Sequence, residues 1–196
     1  MDGNVANPFE TGPQESSSKP SAKTNAMQAR WSQFNAAHFG TVWILHSEAG
    51  VHALDFDAPD GLNTAYPLAS NIAEPLQRYF SGEPIDLNAV PVAPQGTVFQ
   101  KRVWNALRSI PFGQVRTYGQ IATQIGSPRA MRAVGMANKR NPIAILVPCH
   151  RVIESTQGLG GYNGGLDRKR HLLRLEGARV VDDKVLPGQL GLGFSN

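Results

Sequence analysis

The chain has 196 residues, 41% of them hydrophobic, and a formal net charge of +4. That suffices for one or two compact domains with a real core, while no run approaches the ~18 apolar residues of a membrane span. The single cysteine excludes an internal disulfide. The start Met-Asp-Gly-Asn is unlike a secretory leader, so a cytoplasmic protein in a reducing compartment is expected.

Residues 1–28 are rich in Ser, Pro, Asn, Lys and Gln and are expected to form a disordered tail. Residues 29–92 read as a small N-terminal α+β domain. Within it, Val42-Trp-Ile-Leu45 and Val51-His-Ala-Leu-Asp-Phe56 flank Glu48-Ala-Gly50 as a β-hairpin. The spacing of Ile72, Leu76, Tyr79 and Phe80 predicts a helix over 70–81, which Gly82 stops and in which Pro75 must lie in the first turn or mark the start. Residues 83–95 hold three prolines and read as a linker. His38, His46 and His52 match no metal-ligand spacing, so neither a metal nor a cofactor is expected.

A second domain is expected over residues 93–180, with a tail over 181–196. Thr97 and Gln100 form a capping box for a helix whose buried face carries Phe99, Val103 and Leu107; Pro111-Phe-Gly113 breaks it. Thr117 and Gln120 repeat the pattern before Ile121, Ala122 and Ile125, and Gly126 supplies the stop. Ser127 then caps a helix over 128–138 with Pro128 at its first position. Two short helices joined by a glycine turn make a helix-turn-helix. From Lys101 to Arg151 there are nine basic residues and no acid, a one-signed segment suited to a polyanion. The second helix is built from small residues, Ala130, Ala133, Gly135 and Ala137, with Arg132 as a long cation. Such a face suits close approach to the minor groove better than base reading in the major groove.

The apolar run Ile143–Val147 reads as a short buried strand ended by Pro148, which sets Cys149 at a pocket floor beside His150. By itself, a lone buried cysteine is more often a small hydrophobe than a nucleophile. After it, residues 155–165 hold five glycines and Tyr162, a loop able to wrap a flat ligand. A helix from Leu166 to Leu175 follows, with Leu172 and Leu175 inward, and Gly177 ends it. Glu176 at its C-terminal end meets the negative end of the helix dipole and needs a partner such as a histidine.

Pro148-Cys-His-Arg-Val152, with Asn141-Pro142 before it and Gly161-Tyr-Asn-Gly-Gly165 after it, resembles the O6-alkylguanine-DNA alkyltransferases; Ile110–Ala122 matches the same family's first recognition segment. The resemblance covers residues 96–178. It implies an N-terminal three-stranded antiparallel sheet with helices, then a mostly helical domain with a helix-turn-helix. It implies double-stranded DNA carrying O6-alkylguanine, and O4-alkylthymine, as partner, with direct, single-turnover transfer of the alkyl group to Cys149 after nucleotide flipping. His150 would deprotonate the thiol through a water, Glu176 would orient His150, Asn141 would act as a hinge, and Tyr118 would contact phosphate and donate to guanine N3. Arg132 would fill the gap left by the base. Thr117, Ala130, Ala133 and Gly135 would face the DNA. Tyr162, Asn163, Gly160 and Pro148 would wall the base pocket, and the Val152 carbonyl would take the exocyclic amine. A monomer is expected, with cooperativity on DNA open. With Cys149 as the lone cysteine, the zinc site of some relatives is not expected. The alternatives are a lesion-binding protein without transfer, a helix-turn-helix regulator with an inert cysteine and, least, a cysteine hydrolase.

Overall fold

Strands β1 (Arg30–Ala36), β2 (Gly40–Ser47) and β3 (Gly50–Asp55) form an antiparallel sheet in the order β1-β2-β3. The structure, a computed structural model, describes residues 29–36, 38–62 and 65–186; the expected N-terminal tail lies outside the described residues. Alternation sends Val42 and Ile44 inward on β2, and on β3 Val51 and Leu54, an odd number of residues apart, face the same way because of a bulge. A bulge between Leu45 and His46 shifts the register of β2 on β3, so that His46 pairs with Val51. Ser32 is buried on that face, and His46 Nε2 meets its hydroxyl at 2.8 Å. The hairpin expected from the sequence is therefore β2–β3; β1, with Ser32 and Gln33 in its middle, carries no local strand pattern of its own.

Helix α1 (Ser70–Phe80) buries Ile72, Leu76, Tyr79 and Phe80, the face expected. Pro75 lies inside this helix rather than in its first turn. The stretch expected to be a linker instead packs on the sheet. It carries a 3-10 turn at Leu87–Ala89, and Val51 donates to Pro91 O and accepts from Ala93 N. On the same strand Leu54 donates to Pro142 O at 2.8 Å, so the outer edge of β3 is covered by two later segments.

Both capping boxes are present, Thr97 with Gln100 on α2 (Val98–Arg108) and Thr117 with Gln120 on α3 (Tyr118–Gln124). The next helix, α4 (Met131–Lys139), starts three residues later than expected: Ser127–Ala130 form a turn, Ala130 takes the N-cap position, and no side chain caps it. Strand β4 (Arg116–Thr117) pairs in parallel with β5 (Val152–Ile153), and α5 (Leu166–Leu175) closes the unit. The expected tail from 181 begins as a hairpin, β6 (Val180–Val181) with β7 (Lys184–Val185), because Val180 and Val185 are buried against Ile153, Leu159 and Leu173. One apolar core runs from the sheet through α1, α2 and α4 to Cys149. The architecture is α+β, and among the described residues no helix is long and apolar enough to cross a membrane.

Candidate active site

The run Ile143–Val147 is a pair of tight turns rather than a strand. Leu146 N donates to Ala144 O at 2.9 Å around Ile145, whose φ is 73°, and Cys149 N donates to Val147 O at 2.7 Å around Pro148. Both are three-residue turns, the first of the strained, positive-φ kind. Asn141 holds the loop shut: its Oδ1 accepts from Ile143 N at 3.0 Å and its Nδ2 donates to Val147 O at 2.8 Å. One side chain thus supplies the hydrogen bonds that a neighbouring strand would have given. Cys149, His150 and Arg151 follow as one 3-10 turn, not as extended chain.

Cys149 is 4% exposed. It lies in a cleft of about 340 Å³ lined also by Tyr118, Gly135, Asn138, Lys139, Gly161, Tyr162 and Asn163. Larger clefts lie elsewhere, one of about 540 Å³ beside Arg30 and His46, but the sole cysteine lines none of them. Gly160 has φ 64°, and a Cβ there would sit 3.3 Å from the Tyr118 hydroxyl, so the loop reaches the tyrosine only through a glycine. At Gly164 a Cβ would run into the Phe56 ring. Pro148 and Val152 are buried behind the cleft, and the Val152 carbonyl accepts from Lys169 Nζ at 2.7 Å.

Behind the thiol lies a buried ionic cluster. His150 Nε2 meets Glu176 Oε1 at 2.8 Å. Arg151 grips the same carboxylate through Nε and Nη2, both at 2.9 Å, and the Tyr79 hydroxyl donates to Oε1 at 2.7 Å. Gly113 N adds a contact at 3.3 Å. Burial alone would push the Glu176 carboxyl up; His150 and the Arg151 guanidinium outweigh it and hold it at about 2. An ionised carboxylate only accepts, so His150 carries its proton on Nε2 and presents the lone pair of Nδ1. Burial lowers the pKa of His150, although Glu176 works against this, and keeps the ring neutral.

Burial pushes the Cys149 thiol up, while the Asn141 amide and the Lys169 charge pull it back. Lys169 is fully buried and is itself lowered to about 8 by burial, against the opposing pull of Cys149 and Glu154. Burial and Cys149 also raise Tyr118 and Tyr162. Among the described residues, three buried side-chain polar atoms have no partner: Asn138 Oδ1, His150 Nδ1 and the Tyr162 hydroxyl. Two of these residues line the cleft, and His150 adjoins Cys149.

The sequence-expected residues therefore fall into two groups. Cys149, His150, Glu176, Asn141, Tyr118, Tyr162, Asn163 and Gly160 gather at or behind one cleft. Arg132 and Ala133 stand exposed on α4, Gly135 faces the Tyr118 ring, and Ala130 and Thr117 are half-buried. The Thr117 hydroxyl is taken up in its capping box. Arg151 does not join the basic surface expected of residues 101–151; it is buried on Glu176 and Ile110 O. Arg108 likewise holds down the 83–95 stretch through Asn88 and Val90 O. Sequence reasoning missed Tyr79, Arg151 and Lys169 as members of the site. The signal for Lys169 was its place on the stripe 169–172–173–176, an apolar face that carries a lysine and a glutamate.

The sequence profile of 6-O-methylguanine DNA methyltransferase, DNA binding domain, matches residues 98–178. A methylated-DNA–protein-cysteine methyltransferase of Methanosarcina acetivorans is 47% identical over 146 residues, covering 71% of this chain and 93% of its own length. One from Mycobacterium tuberculosis is 53% identical over 117 residues, covering 60% of this chain and 70% of that one. The crystal structure of Mycobacterium tuberculosis OGT in complex with DNA superposes with a TM-score of 0.66 at 42% identity, covering 75% of this chain and 92% of that one. The chain belongs to the methylated-DNA–protein-cysteine methyltransferase family.

Proposed function

We propose that the protein repairs DNA by accepting the alkyl group of O6-alkylguanine, and of O4-alkylthymine, on Cys149. The names of its relatives support methyl transfer from DNA to cysteine, and a relative's complex supports DNA as the partner. The observation that carries the reading is the free Nδ1 lone pair of His150, fixed by Glu176 next to a buried thiol at the floor of a cleft.

His150 Nδ1 takes the thiol proton through a water, and Lys169 favours the thiolate left behind. Sγ attacks the alkyl carbon, the carbon–O6 bond breaks, and the departing guanine regains one proton, delivered by Tyr118. The product is a thioether, a poor leaving group, so each molecule acts once. Asn141 keeps the turn before Cys149 closed. Tyr162, Asn163, Gly160 and Pro148 bound the base pocket, and the Val152 carbonyl meets the exocyclic amine.

The thiol is too deep to reach a stacked base, so the nucleotide must be extruded at a cost of about a few kcal/mol. Arg132 fills the space it leaves. Thr117, Tyr118, Ala130, Ala133 and Gly135 lie against the minor groove, and the exposed Met131 and Met136 add apolar surface on the same helix. Transfer is the work of residues 93–180, with residues 29–92 buttressing them, in a monomer that acts in the cytoplasm. Intact-protein and peptide mass measurement after incubation with a duplex carrying O6-methylguanine is expected to find one methyl group, on Cys149. An unmodified thiol after a bound, long incubation would overturn the transfer reading in favour of lesion binding alone.

A further inference from the structure

Of the three unpartnered buried polar atoms, two have an account: His150 Nδ1 receives the thiol proton and the Tyr162 hydroxyl faces Cys149. Asn138 Oδ1 has none. Asn138 is 4% exposed, lies on the inner side of α4 between apolar Val134 and Ala137, and lines the cleft with Cys149. An amide oxygen buried without a donor costs stability in the free protein, and an apolar residue there would avoid that cost. The orphan calls for a ligand that brings a hydrogen.

In O6-alkylguanine within DNA, N1, N3 and N7 only accept, and N9 is bonded to the sugar. The 2-amino group is the sole donor. O4-alkylthymine has none, because alkylation fixes N3 without its hydrogen. We propose that Asn138 Oδ1 accepts a hydrogen bond from the 2-amino group of the extruded base and so favours alkylguanine over alkylthymine. The proposal rests on the repair reading above. The amine has two hydrogens: the Val152 carbonyl, which already accepts from Lys169, meets one through its second lone pair, and the other needs a further acceptor. Asn138 gives that amine an acceptor with no prior engagement. Arg132 and Asn138 then act from different faces of one helix, the exposed one toward DNA and the buried one toward the damaged base.

The test compares the full-length protein with Asn138→Leu on duplexes carrying O6-methylguanine, O6-methylhypoxanthine, which lacks the amine, or O4-methylthymine. Methyl transfer to Cys149 is read by mass at single turnover, and equilibrium binding is read in a Cys149→Ala background. On methylguanine the variant is expected to lose about tenfold in both, the scale of one neutral hydrogen bond, and at most about twofold on the other two. Its Tm is expected to stay level or rise, since no bond is lost in the free protein. A loss by the same factor on all three duplexes, or no loss on methylguanine, overturns the proposal. Should the unsubstituted protein take no methyl from any duplex, the transfer reading falls, and the binding ratios still decide for or against Asn138. Asn138→Ala, which adds no bulk, is expected to give the same ratios if the leucine variant does not fold.

Discussion

The sheet half and the thiol half of the molecule bury polar groups in opposite ways. Among the described residues, the sheet encloses one polar side chain, Ser32, and satisfies it with His46. The thiol half encloses Asn138, Asn141, His150, Arg151, Lys169 and Glu176, four of them able to carry charge, and leaves two of these with an unpaired atom. Buried charges are tolerated only when paired, and here a single carboxylate gathers His150, Arg151 and Tyr79. The first half is arranged for closure. The second is closed behind the sulfur and left with unpaired polar atoms at the cleft in front of it.

That contrast can be broken most forcefully at Glu176. Glu176→Gln is expected to slow transfer roughly a hundredfold, because Nδ1 loses its fixed tautomer. It is also expected to destabilise the fold by about 3 kcal/mol in urea denaturation, because Arg151 is left unpaired. The pH dependence follows from the same group. Its folded value of about 2 lies below its ordinary 4.5, so the unfolded chain binds more protons between them. The stabilisation, about 3 kcal/mol, is full above that ordinary value and is lost as pH falls toward the folded one. Acid titration of stability should follow this window in the unsubstituted protein and flatten in the glutamine variant. Arg132→Ala is expected to slow transfer about tenfold on duplex DNA while leaving the reaction with the free alkylguanine base unchanged; equal losses on both would remove the wedge role. Tyr79→Phe removes one bond to a buried carboxylate, with an expected loss of about 2 kcal/mol in denaturation. Ser32→Ala is the smallest change, about 1 kcal/mol by denaturation with single-turnover transfer unaltered, and a slower transfer there would erase the distinction between the halves.

What could be read from the sequence was whatever local chemistry decides. The two capping boxes formed because Thr and Gln at fixed spacing satisfy orphan amides within one turn. The α1 face emerged from its period, and Glu176 at a helix C-terminus announced a need for a partner. Long-range decisions were not legible. Ile143–Val147 has the composition of a strand, but Asn141 folds it into turns and forces Ile145 to positive φ. Arg151 looks like one more surface cation until Glu176, 25 residues away, draws it inside. Tyr79 reads as core of α1, since nothing local distinguishes an aromatic that packs from one that also donates to a carboxylate 97 residues on.

The bond from Tyr79 to Glu176 ties the N-terminal half to the buried cluster behind Cys149. Together with the Leu54–Pro142 bond, it means that sheet and thiol are not separable modules. A fragment trimmed to the region covered by the DNA-binding profile would lose a hydroxyl from its carboxylate and a strand from the flank of the turn that leads into Cys149. Attempts to miniaturise this protein should therefore keep the whole of 29–186.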